Sequence, residues 1–251
     1  MPLWATDVAL AAAGSNISGI FLHTREFEVT YNLFDPPSPT DPTKSGWNTG
    51  PIYYTSLVVS ETLSATGSVV VDLDIDSPHA VAYGVYDNGG ETRGKLVLIN
   101  YASKETLPPS FAERDPSYTY YIPPNIADTI GVRYLLAPGL YSGSKSWGTT
   151  NETITWANQT VGPAGDLNGK QHTDFVHCTE GCNVTVPGPG LALVYLLSDT
   201  SDKFFHGNST VALPFDNGDD SGALKLLGIR EDGAWLWVTS IFLSMVIGWL
   251  W

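Results

Sequence analysis

Two cysteines in 251 residues are too few for a scaffold built on disulfides or for a four-thiolate metal site. Basic residues are scarce as well. Twelve Lys and Arg face 26 Asp and Glu, a formal charge of -14, and this excludes a surface made to grip phosphate backbones, so nucleic acid is not expected as a partner. Met1 to Gly14 lack the basic start, unbroken apolar core and cleavage site of a secretory leader. Nor does the long turn-rich middle of the chain carry a nucleophile motif. What remains is an ordinary globular composition, 43% hydrophobic and 12% aromatic, enough for one or two cored domains.

The chain begins with helical signals. Pro2 to Ser15 carries Leu3, Trp4, Val8, Leu10 and Ala11 to Ala13, and it closes on Gly14 and Asn16 at a helix stop. Ile17 to His23 follows as a short apolar run that reads as a buried parallel strand. A second helix is predicted after Pro51, with Tyr54, Leu57, Val58 and Glu61 at helical spacing up to Gly67. Helix, strand, helix is the order of a parallel sheet covered on both faces, yet no further unit of that kind follows. The strand therefore predicts earlier units upstream of Met1, in an α/β barrel or sheet. In barrels the chemistry sits at the C-terminal strand ends, here His23 and the loop after it. Glu26 and Glu28, roughly 7 Å apart if extended, have the look of a glycosidase pair, but a solvated loop edge is the preferred reading.

From about Ser64 to Ser68 the periodicity turns from helical to alternating, which predicts a boundary and an antiparallel β-sandwich beyond it. Val69, Val71, Leu73 and Ile75 are expected on the buried face of its first strand. Asp72, Asp74 and Asp76 would lie opposite, as a solvated acidic face rather than a calcium loop. Ala80 to Tyr86 and Lys95 to Tyr101 read as a hairpin through Asp87-Asn88-Gly89-Gly90. Further strands are predicted at Tyr118 to Ile122, Ile130 to Leu136, Thr153 to Trp156, Asp174 to His177, Val184 to Val186 and Leu191 to Leu197.

Five Asn-X-Ser/Thr sequons, at Asn16, Asn151, Asn158, Asn183 and Asn208, point to the secretory pathway as acceptors for N-glycosylation. Cys178 and Cys182 enclose Thr-Glu-Gly between apolar flanks and are expected to form a hairpin disulfide. His172 and His177 are read as polar loop residues, so no metal is expected, and no cofactor. Ala234 to Trp251 is apolar and uncharged, with no basic residue after it. The small residues Ser221, Gly222 and Ala223 precede it across a short spacer, the pattern of a glycolipid-anchor signal with Ser221 as the attachment site. Asn217 or Asp220 are alternative sites, and a single-span membrane anchor is the alternative to the signal. Entry to the secretory pathway without a leader again predicts a missing upstream segment.

Several blocks in order resemble the C-terminal part of the β-glucuronidase and heparanase-like hydrolases of glycoside hydrolase family 79, the fungal members above all. They are Leu3-Trp4-Ala5-Thr6-Asp7, Ile20-Phe21-Leu22-His23, Tyr31-Asn32-Leu33-Phe34, Trp47, Gly50-Pro51-Ile52-Tyr53-Tyr54, Ala82 to Tyr86, Lys95 to Tyr101, Ile154 to Thr160 and Leu191 to Val194. The resemblance implies an α+β fragment: the last β/α unit of a (β/α)8 barrel over residues 1–66, then a β-sandwich over 67–198. A polar stalk over 199–233 and the apolar tail over 234–251 complete the chain. It also implies retaining hydrolysis of uronic-acid glycosides by two glutamates. Neither glutamate has a counterpart here, so no catalytic residue is expected in this chain. His23 and Tyr31 are the residues expected to face the sugar, with structural roles as the alternative. The expected partners are the glycan, the upstream barrel and, through the anchor, the membrane, at the extracellular face of the plasma membrane or in the cell wall. The competing reading is a non-catalytic cell-surface module for glycan binding or wall structure, in which Trp147 and Trp156 could stack on sugar rings, although core or loop packing is the preferred reading of each.

Overall fold

The computed structural model describes residues 2–22, 29, 31–42, 45–63, 67–87, 92–104, 116–139 and 154–197. Helix α1 spans Pro2–Gly14 and α2 spans Tyr53–Thr62. The strands are β1 Phe34–Asp35, β2 Asn48–Thr49, β3 Ser68–Asp72, β4 Ala80–Asp87, β5 Thr92–Asn100, β6 Tyr118–Ile122 and β7 Thr129–Leu136. They continue as β8 Thr155–Trp156, β9 Thr160–Val161, β10 Leu167–Asn168, β11 Asp174–His177, β12 Cys182–Val186 and β13 Gly190–Leu197.

Proline opens α1, where its missing N–H costs nothing, and the Thr6 hydroxyl donates back to the Pro2 carbonyl at 2.9 Å. The helix stops as its sequence predicts. Asn16 takes a φ of 57°, and the Ile17 N–H donates to the Ala12 carbonyl at 2.9 Å, so an asparagine serves as the left-handed cap. Gly50 sits where the chain crosses the β1–β2 pair. A Cβ there would run into the Asn32 carbonyl oxygen, so only glycine allows the approach that delivers Pro51 to the head of α2.

A seven-stranded sheet runs in the order β11-β7-β13-β5-β4-β3, with β8 also pairing to β7, and every pairing in it is antiparallel. Its central strand, β13, is hydrogen-bonded on both sides. Side chains alternate across it into two cores. Leu191, Leu193, Tyr195 and Leu197 point toward the helices, where Leu3, Leu10, Tyr54, Leu57 and Val58 meet them together with Trp156. Ala192 and Val194 point the other way, toward Tyr120, Ile122, Val184 and Val186 of the two-stranded sheet β12-β6. The result is a helix layer, a large sheet and a small sheet, mostly β, of the sandwich class.

Two sequence expectations are corrected here. Residues 17–22 form no strand: Ile17 is 56% and Phe21 70% exposed, and among the described residues nothing pairs with them. An apolar run becomes a strand only beside another strand that takes its N–H and C=O groups. The second correction concerns β3. Val70, not Val69 or Val71, is the buried residue, because its side faces the helix layer. Val69, Val71 and Leu73 are 40–42% exposed, since the small sheet packs over β5 and β13 and leaves β3 uncovered. The strand also ends at Asp72, whose carboxylate accepts the Asp74 N–H at 2.9 Å while Asp74 turns to a φ of 49°. The three aspartates thus belong to a turn and its edge, not to one strand face.

The hairpin of β4 and β5 is present, with a register shift between Val85 and Tyr86; its connection, 88–91, lies outside the described residues. Glu26 and Glu28 lie outside them too, as does everything from residue 198 onward. No helix among the described residues is long and apolar enough to cross a membrane.

Candidate functional site: a cleft at the head of the first helix and the clamps beside it

A cleft of about 420 Å³ opens where the start of α1 meets the edge of the large sheet. Leu3 and Trp4 form one wall, Tyr101, Leu135 and Pro189 another, and Tyr31 stands at its edge, half-buried. Tyr31 thus lies at a concave surface, whereas His23 lies outside the described residues. Trp4 is 47% exposed although it belongs to a helix whose other face is packed. The lining contains no carboxylate, imidazole or thiol among the described residues. Its chemistry is that of contact: apolar walls, the three aromatic rings of Trp4, Tyr31 and Tyr101, and the Tyr31 hydroxyl.

The Tyr101 hydroxyl is turned away from ligands. It donates to Asp7 Oδ2 at 2.7 Å, and Tyr83 donates to Asp7 Oδ1 at 2.5 Å, so one helix carboxylate is held by two sheet hydroxyls. This clamp fixes α1, and with it the Leu3–Trp4 wall. Burial comes first, then the hydrogen bond to Asp7 and its charge, in pushing both tyrosines well above the usual phenol range.

Helix α2 is held by a stronger device. Glu61 Oε1 accepts from Arg133 Nη1 of β7 and from the Tyr195 hydroxyl of β13, and Glu61 Oε2 accepts from Trp156 Nε1 of β8 at 3.2 Å. Side-chain exposure is only 4% for Arg133 and 8% for Glu61, so this is an ion pair out of water with its lone pairs satisfied. The guanidinium also lies 5.4 Å from the Tyr195 ring centroid and donates through Nε to Thr173 Oγ1 at 2.9 Å. Lys95 completes the dock by donating to the Thr62 carbonyl at 2.9 Å, a cation at the negative end of the helix; burial lowers its pKa against the opposing charges of Asp87 and Glu61. Farther along, the Tyr54 hydroxyl donates to the Ile154 carbonyl at 2.7 Å and accepts the Val161 N–H at 2.9 Å.

Buried hydroxyls of this kind make an alkaline limit. Burial is the leading cause that pushes Tyr54 up to about 12, and it pushes Tyr83, Tyr101, Tyr120 and Tyr195 higher still. A phenol whose folded pKa exceeds its unfolded value of about 10 adds stability that is complete below pH 10 and lost as pH climbs through the folded value. Lys95, lowered by burial, works the opposite way, but it is one group against five. Urea midpoints are thus expected to stay level from pH 8 to about 10 and then to drop steeply, with ionisation of these five buried tyrosines coinciding with unfolding. Ionisation of any of the five near pH 10 in a chain still folded would contradict this account.

The remaining sequence candidates divide plainly. Cys178 and Cys182 form the expected disulfide across a Cα separation of 4.9 Å. The two nearby histidines do not converge on it: His172 pairs with Asp174 at 2.9 Å and His177 with Thr179 at 2.8 Å, both exposed. Asn16, Asn158 and Asn183 are exposed, while Asn151, Asn208 and Ser221 lie outside the described residues. Trp156 is 2% exposed and bonded to Glu61, so it has no face to offer a sugar; Trp147 lies outside the described residues. The docking network itself escapes a search for catalytic patterns. One signal was available: Glu61 stands at the helical spacing of the apolar residues Tyr54, Leu57 and Val58.

These features define an antiparallel β domain that carries a docked pair of helices. Residues 82–193 match the family model of the glycosyl hydrolase family 79 C-terminal beta domain, which supports membership of a glycoside hydrolase family. No curated protein matches the chain. Among solved structures, the chain is similar to a 4-O-α-L-rhamnosyl-β-D-glucuronidase from Fusarium oxysporum, with 18% identity, a TM-score of 0.48 and coverage of 59% of this chain and 30% of that one. It is also similar to a thermostable GH51 α-L-arabinofuranosidase from Thermotoga petrophila, with 12% identity, a TM-score of 0.38 and coverage of 66% and 31%. The chain thus spans less than a third of either solved protein.

Proposed function

We propose that this chain is the C-terminal, non-catalytic portion of an extracellular, retaining β-glucuronidase-like glycoside hydrolase that acts on glycans containing uronic acid. The match of residues 82–193 to the family 79 C-terminal β domain carries the reading. The docking of α1 and α2 supports it. Both helices precede the matched segment, and both are tied to it by partly buried hydrogen bonds, through Asp7 in one and Glu61 in the other. Such ties suit a β domain that holds the end of a barrel at a set angle. In this reading residues 1–66 are the last barrel unit, His23 and Tyr31 face the sugar, and the two catalytic glutamates belong to the barrel upstream. Residues 199–233 serve as a stalk and 234–251 as the anchor signal, with Ser221 carrying a glycolipid.

The test compares this chain with the product of the longer open frame on 4-nitrophenyl β-D-glucuronide, and follows the anomer first released by NMR. The longer product is expected to hydrolyse with retention and this chain to be inert. Hydrolysis by this chain alone, or a longer product without activity or with inversion, overturns the proposal. Release from the cell surface by a phosphatidylinositol-specific phospholipase tests the anchor separately.

A further inference from the structure

We propose that Tyr121 is an intramolecular sugar platform, which seats the first N-acetylglucosamine of a glycan attached to Asn183. The inference rests on the secretory part of the reading above. The small sheet β6–β12 has two unlike faces. Tyr120, Ile122, Val184 and Val186 point inward and are buried, whereas Thr119, Tyr121, Asn183 and Thr185 point outward and are exposed. Asn183 and Thr185, the two recognition residues of the Asn-Val-Thr sequon, therefore stand side by side on the outer face.

Register adds what the sequon alone does not contain. Asn183 is paired directly across from Tyr121, and Thr185 across from Thr119, whose hydroxyls lie 2.9 Å apart. Side chains opposite each other on one face are about 5 Å apart at Cβ, within reach of the first sugar of an N-linked chain. Tyr121 is 63% exposed, an apolar ring with no apolar cover. Its far end lies over Gly181, whose φ is 86° and whose lack of a side chain leaves room for the hydroxyl: a Cβ at that position would stand 2.7 Å from it. The ring thus lies along the strand beside Asn183, with a face that suits the C–H face of a pyranose. Asn158, by contrast, sits in the tight turn between β8 and β9 at a φ of 68°, beside the buried Trp156 and Gln159.

The modification itself balances simply. The Asn183 amide nitrogen bonds to C1 of an oligosaccharide carried on a lipid pyrophosphate. The C1–O bond to phosphate breaks, the amide gives up one proton, and the lipid pyrophosphate leaves with the bonding electrons.

The protein isolated from cells that make it is digested with trypsin, and the peptide from Gln171 to Lys203, in which Asn183 is the one sequon, is read by mass before and after peptide N-glycosidase. Occupancy at Asn183 is expected. Enzymatic removal of the glycan should lower Tm by roughly 2–4 °C in the natural protein and in Tyr121→Phe, and should leave the Tm of Tyr121→Ala unchanged. Both variants alter an exposed position and are expected to fold. A bare Asn183 beside another occupied sequon overturns this inference and leaves the secretory reading standing. If no sequon carries sugar, the secretory reading falls and takes the platform with it. An equal loss of Tm in Tyr121→Ala overturns the platform alone.

Discussion

Glu61→Ala is expected to lower the free energy of unfolding by about 3–5 kcal/mol, a large share of what holds a domain of this size together. The carboxylate lies between α2 and the sheet, and its removal leaves the Arg133 guanidinium buried without its counter-charge. The Tyr195 hydroxyl and the Trp156 indole N–H lose their acceptor in the same step. Glu61→Gln keeps one acceptor oxygen but removes the charge and turns an NH2 toward one of the donors, so a loss smaller than that of Glu61→Ala is expected. Replacing both charges with Met, Glu61→Met with Arg133→Met, should recover most of the stability, because the desolvation cost of the pair vanishes with it. Urea midpoints of the three variants decide the matter. A Glu61→Ala midpoint that matches the natural chain would mean that the helix layer is held by apolar packing alone.

The two charges show how far such a site can be read in advance. Glu61 occupies the apolar phase of α2, and Arg133 interrupts the apolar run Ile130, Gly131, Val132, Tyr134, Leu135 of β7. Each is conspicuous where it stands. Nothing local says that they belong together, because they are 72 residues apart and meet only once β7 has been laid beside β13 and the helix set upon both. Strands with distinctive flanks were different. Tyr118–Ile122 and Asp174–His177 coincide with the strands expected from alternation and from the turn residues that bound them. The stop of α1 at Asn16 was legible for the same reason: capping chemistry is local.

Where the reading went astray, the deciding fact was a neighbour. Three successive valines, Val69 to Val71, allow either face of β3 to be buried, and a shift of one residue exchanges the faces entirely. Only the position of the helix layer selects Val70. The run Ile17 to Leu22 has the apolar residues of a core strand, yet without a strand beside it in the described residues Ile17 and Phe21 stay exposed and Ile20 and Leu22 are only half-buried. The short pairs β9 with β10 and β1 with β2 were missed because two-residue strands have no period to detect.

Whether the helices and the sheet form one cooperative unit is decided by Leu193→Ala. Leu193 is fully buried at the centre of β13, paired with Val97 on one side and Arg133 on the other. Its truncation is expected to cost about 2–5 kcal/mol, the transfer loss plus the cavity left behind. Val194→Ala, one residue on, touches the other core and removes less apolar surface, so a smaller cost is expected. Leu10, Leu57 and Leu193 belong to one contiguous cluster that runs from α1 through α2 into the sheet, across the boundary expected near Ser64 to Ser68. A strain at Leu193 should then reach the helices. Circular dichroism at the helix band and near-ultraviolet signals from the sheet tryptophan are expected to shift together, to the same lower midpoint. Two separated transitions, with the helix signal lost first, would mean that the helices and the sheet unfold as separate units.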